Sequence, residues 1–211
     1  MFTTVLSKTA KTALALLGKS RILPEKTYLA GGSALALHFG HRISVDFDFF
    51  TPSHFKAKEI VKKLEKISRF VFQEAEEKDT LLGIFEGVKF SLFRYDYPLV
   101  FKPIKYLGVL LADPKDIAAM KLAAIMDRGT KKDFIDIYFL IKKGISIEKA
   151  FNYYDQKYRL LANNLYSLIK GLSYFDDAED SDMPEMITKV DWEEVKKFLQ
   201  NEVIRLANKY I

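Results

Sequence analysis

The chain has 211 residues, 49% of them hydrophobic and 29% charged, a balance that excludes disorder or a fibrous repeat and supplies enough apolar surface for a core. Lys and Arg outnumber Asp and Glu by 33 to 28, and the resulting net charge of +5 favours polyanionic partners although no dense basic tract is present. Cysteine is absent, which removes disulfides and thiolate metal sites, and no run of about 18 uncharged apolar residues could span a bilayer, so the expected setting is cytoplasmic with no membrane partner.

The first stretch, 1–17, carries Lys8 and Lys11 within an apolar pattern and reads as an amphipathic helix. A short β run at 27–30 ends at Gly31 and Gly32, and 33–39 follows with helix formers, giving strand, tight turn and helix. Residues 43–50 then alternate, with Ser44, Asp46 and Asp48 on one face and Val45, Phe47 and Phe49 on the other, the period of a strand. A helix is predicted over 55–67 with Ile60, Leu64 and Ile67 inward. Strands are predicted at 69–75, 80–86 and 88–95, the last two joined by a hairpin at Glu86 and Gly87, and a further single strand at 106–111.

From Asp113 the pattern turns helical. Asp113 suits an N-cap, Pro114 the first helical position and Asp116 the first turn, and Gly129 stops the helix. Thr130 and Asp133 have capping-box spacing and open a strongly apolar helix that ends at Gly144. Further helices are expected at 147–158, 160–172 and 191–209, with an acidic loop around 176–184. The predicted class is α+β, a sheet-bearing core at 1–111 followed by a helical region at 112–211.

Two carboxylates one residue apart on a strand project to the same face, roughly 6.5–7 Å apart along it. Asp46 and Asp48 therefore suit a hard divalent cation such as Mg²⁺, which takes one or two carboxylates plus phosphate and water; two surface aspartates on an exposed strand are the ordinary alternative. Gly31, Gly32 and Ser33 at a helix N-terminus let a phosphate approach the backbone N–H groups, or simply connect strand to helix. Lys121 and Arg128, seven residues apart, share a helix face that could meet phosphates or water. Asp133 and Asp136 lie among apolar residues and need partners, for which Arg128 and Lys132 are candidates, so a structural ion pair is the alternative to a catalytic role. The spacing of the three histidines gives no zinc signature. Tyr95, Tyr97 and Tyr106 are candidates to stack on a base or to pack.

A Gly-Ser turn followed by an Asp-x-Asp strand resembles the DNA polymerase beta-like nucleotidyltransferase superfamily. Residues 29–37 (LAGGSALAL), 41–50 (HRISVDFDFF), 116–121 (DIAAMK), Arg128-Gly129 and 132–136 (KDFID) are similar to the AbiEii/AbiGii toxin family of nucleotidyltransferases. The resemblance implies a mixed nucleotidyltransferase sheet with flanking helices and a helical C-terminal half. It implies transfer of a nucleoside monophosphate from a nucleoside triphosphate to an acceptor hydroxyl, with RNA such as a tRNA end as acceptor and a cognate antitoxin as protein partner. In that reading Asp46 and Asp48 hold Mg²⁺ and act in catalysis with Lys121, while Gly31, Gly32, Ser33, Arg42, Arg128, Asp133 and Asp136 line the substrate site. Lys121→Ala is then expected to weaken triphosphate binding more than folding. Ser91 departs from the pattern, standing where a third carboxylate is expected, and serine cannot act as an ionised ligand or carboxylate base at neutral pH. The alternatives are a nucleotide- or RNA-binding module of the same fold without turnover, and a protein-interaction module with a vestigial site.

Overall fold

The computed structural model describes residues 1–76 and 79–210, with backbone only at 75 and 76. The chain divides into two compact units, Met1–Asp113 and Pro114–Ile211. The first contains a short 3-10 turn at Thr3–Val5, then α1 (Lys8–Ser20), β1 (Tyr28–Leu29), α2 (Gly31–Phe39), β2 (Asp46–Thr51) and α3 (Ala57–Ile67). It continues with β3 (Phe70–Glu76), β4 (Thr80–Phe85), β5 (Val88–Arg94), β6 (Ile104–Tyr106) and β7 (Val109–Leu111).

Among the described residues these strands form one seven-stranded sheet in the order β3-β4-β5-β2-β1-β7-β6. The sheet is mixed: β2 runs parallel to β5 and β1 parallel to β7, while the other neighbours are antiparallel. Side-chain alternation decides which face is core. In β2, Phe47, Phe49 and Thr51 are buried while Asp46, Asp48 and Phe50 are half-buried, and β5 buries Val88, Phe90 and Leu92 in step. Phe49 and Phe90 meet with ring centroids 5.6 Å apart, and each such phenylalanine is worth about 1.5–3 kcal/mol of burial. The Ser7 hydroxyl accepts from the Ala10 N–H at 3.0 Å and starts α1, whose Ala10, Ala13, Leu14 and Leu17 face inward. Helix α2 is apolar on every side from Ala34 to Leu37 and is correspondingly buried.

The last predicted strand differs from expectation. The run at 106–111 is two strands joined by a tight turn, because Leu107 and Gly108 both take left-handed backbone angles, φ 48° and 89°. This reversal, which Gly108 permits, leaves β7 to run beside β1.

The second unit is helical: α4 (Pro114–Asp127), α5 (Lys131–Lys142), α6 (Ile147–Tyr158), α7 (Leu161–Gly171), α8 (Asp176–Glu179) and α9 (Trp192–Tyr210). The capping box expected at Thr130 and Asp133 is present, and Ser146 adds a cap at the start of α6. The Asp133 carboxylate accepts from the Thr130 N–H at 3.2 Å and its hydroxyl at 2.8 Å, and Ser146 accepts from the Lys149 N–H at 3.3 Å. Every residue from Phe134 to Leu140 is buried, so α5 is the central helix of this unit. Phe134, Phe175 and Trp192 form a contiguous ring cluster beside it. The stretch expected to be an acidic loop contains the one-turn helix α8. No described helix is long and apolar enough to cross a membrane.

Candidate active site

The glycine turn and the aspartate strand belong to the same unit and meet. Ala30, the residue before α2, donates its N–H to the Asp48 carbonyl at 3.1 Å, tying the start of the helix to β2. A Cβ built on Gly31 would lie 3.2 Å from Asp48 Oδ2, so the carboxylate sits directly over the turn, and the φ of 65° at Gly31 is itself one that side chains disfavour. Helix α2 has no side-chain cap and no acidic residue in its first turn. Its first N–H groups and dipole therefore present positive character next to Asp48.

Ser33 and Arg42 support this turn from beneath. The Ser33 hydroxyl is 2% exposed and lies against the Asp46 carbonyl and the Ser44 hydroxyl, the latter at 2.9 Å. Its oxygen faces the strand, so any phosphate contact from Ser33 in this geometry comes from its backbone N–H. Arg42 is 3% exposed and donates to the Ile43 carbonyl at 3.1 Å and the Ser44 hydroxyl at 3.4 Å. A Cβ on Gly32 would overlap the Arg42 guanidinium, so a larger residue there would have to displace that buried side chain. The buried guanidinium of Arg42 thus braces the turn.

Asp46 and Asp48 occupy the same face of β2, as the alternation requires. Asp46 Oδ1 is buried and has no hydrogen-bond partner among the described residues. A sealed carboxylate oxygen without a donor is costly, and a cation is the group that would satisfy it. The pair thus fits a divalent metal. Among the described residues no three His, Asp or Glu side chains converge, so phosphate and water oxygens would have to complete the coordination. The parallel register sets Ser91 directly beside Asp48 and Lys89 beside Asp46. The neighbouring strand therefore offers a hydroxyl and an ammonium where further carboxylates would face the pair.

In the second unit Lys121 is 7% exposed and its ammonium lies 2.8 Å from Asp133 and 2.6 Å from Asp136, both buried. Burial pushes the Asp133 carboxyl up, but the Lys121 charge and hydrogen bond, with help from Thr130 and Arg128, outweigh it and hold it below the usual carboxylate range. Arg128 stands 3.7 Å from Asp133 and is 67% exposed. Lys132, the other candidate partner, is replaced in that role by Lys121. Lys121, Asp133 and Asp136 form a buried ion cluster that ties α4 to α5.

A profile of the family described as Nucleotidyl transferase AbiEii toxin, Type IV TA system, matches residues 16–103 and 93–207. The chain belongs to the AbiEii nucleotidyltransferase family. A relative from Aquifex aeolicus (strain VF5), the uncharacterized protein aq_aa25, is 41% identical over 185 residues, covering 83% of this chain and 85% of its own length. Among solved structures, JHP933 from Helicobacter pylori is 18% identical with a TM-score of 0.56, covering 97% of this chain and 94% of that one. MenT4, a nucleotidyltransferase toxin from Mycobacterium tuberculosis H37Rv, is 16% identical with a TM-score of 0.54, covering 95% and 89%. At these identities the two structures establish a shared fold.

Other polar groupings of this AbiEii-family chain escaped sequence reasoning. His54 Nδ1 lies 2.7 Å from Asp79, which also accepts from the Phe55 N–H at 2.8 Å. Lys157 is buried 3.1 Å from Asp116, and loss of solvent lowers its pKa against the opposing pull of the Asp116 charge and hydrogen bond. Separations of 25 and 41 residues leave no local pattern to read. Ser44 was visible as the polar-face neighbour of Asp46, but its link to Ser33 was not.

Proposed function

We propose that this chain transfers a nucleoside monophosphate from a nucleoside triphosphate to a hydroxyl of an RNA acceptor such as a tRNA end, as a toxin restrained by a cognate antitoxin. The observation that carries the reading is the partnerless buried Oδ1 of Asp46 beside an Asp48 carboxylate seated on the uncapped start of α2. Asp46 and Asp48 would hold Mg²⁺, which supplies charge neutralisation at the phosphate oxygens when bound. The N–H groups of Gly31, Gly32 and Ser33 receive the polyphosphate, and Arg42 and the Ser33 hydroxyl keep that cradle rigid. The acceptor oxygen bonds to the α-phosphorus as the bond from that phosphorus to the bridging oxygen breaks, and pyrophosphate leaves. The hydroxyl proton passes to Asp48, because Ser91 beside it cannot carry negative charge at neutral pH.

Lys121, Asp133 and Asp136 act as positioning residues that fix α4 and α5, and Arg128 is the cation of that unit assigned to an anionic substrate. Charge supports an RNA acceptor. Residues 1–113 hold 17 Lys and Arg against 12 Asp and Glu, whereas 114–211 hold 16 of each, so the whole excess lies in the unit bearing the aspartates. The antitoxin follows from the family's description as part of a type IV system.

A second reading, nucleotide binding without turnover, is favoured by Ser91. Incubation with each labelled triphosphate, Mg²⁺ and total RNA, for the wild type, Asp46→Asn and Asp48→Asn, decides between them. Label transfer that EDTA or either substitution abolishes is the expected result. Metal-dependent triphosphate binding with no transfer at any RNA concentration selects the second reading, and unchanged transfer by both variants sinks the site.

A further inference from the structure

On the face of β2 that carries Asp46 and Asp48, the next residue in the alternation is Phe50, and from it a chain of aromatic rings leads outward. Tyr28, buried on β1, lies 6.0 Å from Phe50 between ring centroids, and Phe93 on β5 lies 5.6 Å from it. Tyr95 meets Phe50 edge-on at 5.3 Å, and Tyr97 meets Tyr95 edge-on at 5.4 Å. Burial falls along this series. Tyr28 is 2% exposed, Phe50, Phe93 and Tyr95 are half-buried, and Tyr97 is 40% exposed.

The platform is also held in place. Tyr95 donates its N–H to the Thr51 carbonyl at 2.8 Å and so continues the β2 and β5 ladder beyond its last paired residues. Tyr97 precedes Pro98, which restricts its backbone to the extended region. The rings begin one side-chain repeat, roughly 7 Å, from the carboxylate of Asp48. Tyr95 lies four residues beyond Ser91, the neighbour of Asp48, or roughly 13 Å along the strand, so a ligand anchored by its phosphates at the glycine turn would have to extend that far to meet its ring.

We propose that Tyr95 and Tyr97 form a stacking platform for a nucleobase, extending the aspartate and glycine site into a nucleoside-binding subsite. The inference rests on the proposed nucleotidyl transfer for the anchoring of phosphate, and it adds the base as the recognised group. The base belongs either to the triphosphate or to the acceptor end, which share the same stacking chemistry. The ring chain contains no ionic side chain, so recognition is by face rather than by edge and tolerates all bases, with purines stacking over the larger area.

The test measures equilibrium binding in Mg²⁺ of each of the four nucleoside triphosphates, inorganic tripolyphosphate and a short single-stranded oligoribonucleotide. The proteins are the full chain, Tyr97→Leu, Tyr97→Phe, Tyr95→Leu and Asp46→Asn, each checked for fold by circular dichroism. Tyr97→Leu is expected to weaken base-bearing ligands by about 5- to 150-fold while tripolyphosphate is unchanged, and Tyr97→Phe to stay close to wild type. Loss confined to the triphosphates assigns the base to the donor, and loss confined to the oligonucleotide assigns it to the acceptor. Equal loss of tripolyphosphate, or no loss of either base-bearing ligand with both leucine variants, overturns the proposal. Should Asp46→Asn still abolish triphosphate binding in that case, the phosphate and cation site stands without the platform. If the wild type binds no triphosphate at all, the underlying reading fails and the platform with it.

Discussion

Position 32 shows how closely single atoms set this site. An alanine methyl would land on the Arg42 guanidinium, which is buried and already engaged with Ile43 and Ser44, so either the arginine or the turn must move. Gly32→Ala is expected to destabilise the protein by about 1–3 kcal/mol in urea denaturation and to weaken triphosphate binding beyond that loss. A variant with wild-type midpoint and wild-type affinity would show that the turn has slack. The glycines and the two aspartates were legible in the sequence because turn chemistry and a period of two act over a few residues. The work of Ser33 and Arg42 was not. Their partners are set by how the start of α2 crosses β2, and a buried serine and an exposed phosphate-binding one have the same letter.

Helix α4 and helix α5 share the buried cluster of Lys121 with Asp133 and Asp136. Removing the ammonium leaves two carboxylates without their central cation, so Lys121→Ala is expected to cost about 3–5 kcal/mol in folding stability. Arg128→Ala, at a 67% exposed side chain, is expected to change stability by no more than about 0.5 kcal/mol. Comparable unfolding midpoints for the two variants would contradict this assignment. The sequence-based expectation had the opposite weighting for Lys121, since a basic residue on a helix face looks the same whether it meets phosphate or a buried carboxylate. Caps were the readable part of these elements: Thr130 with Asp133, and the stops at Gly129 and Gly144, are local chemistry. The hairpin between β6 and β7 was missed because Leu107 takes a left-handed angle that a leucine does not advertise, and only Gly108 marked the place.

At the scale of the molecule, charge is distributed unevenly, with the excess of basic residues confined to residues 1–113. Lys58, Lys62 and Lys66 recur every four residues on α3 and are all exposed, forming one solvated stripe. Reversing all three to Glu is expected to weaken RNA binding and to flatten its dependence on log salt by roughly 0.7 for each phosphate that the stripe no longer neutralises, with the thermal midpoint little changed. An identical salt slope would place the RNA elsewhere. Composition alone announced the sign of the net charge but not its partition, which needs the boundary between the units. The pairing of β2 with β5 has a longer reach. Since the ladder already seats residue 91 next to Asp48, a single codon separates this face from one with three acids, and lineages descending from such a chain can gain or shed that acid without rebuilding any strand.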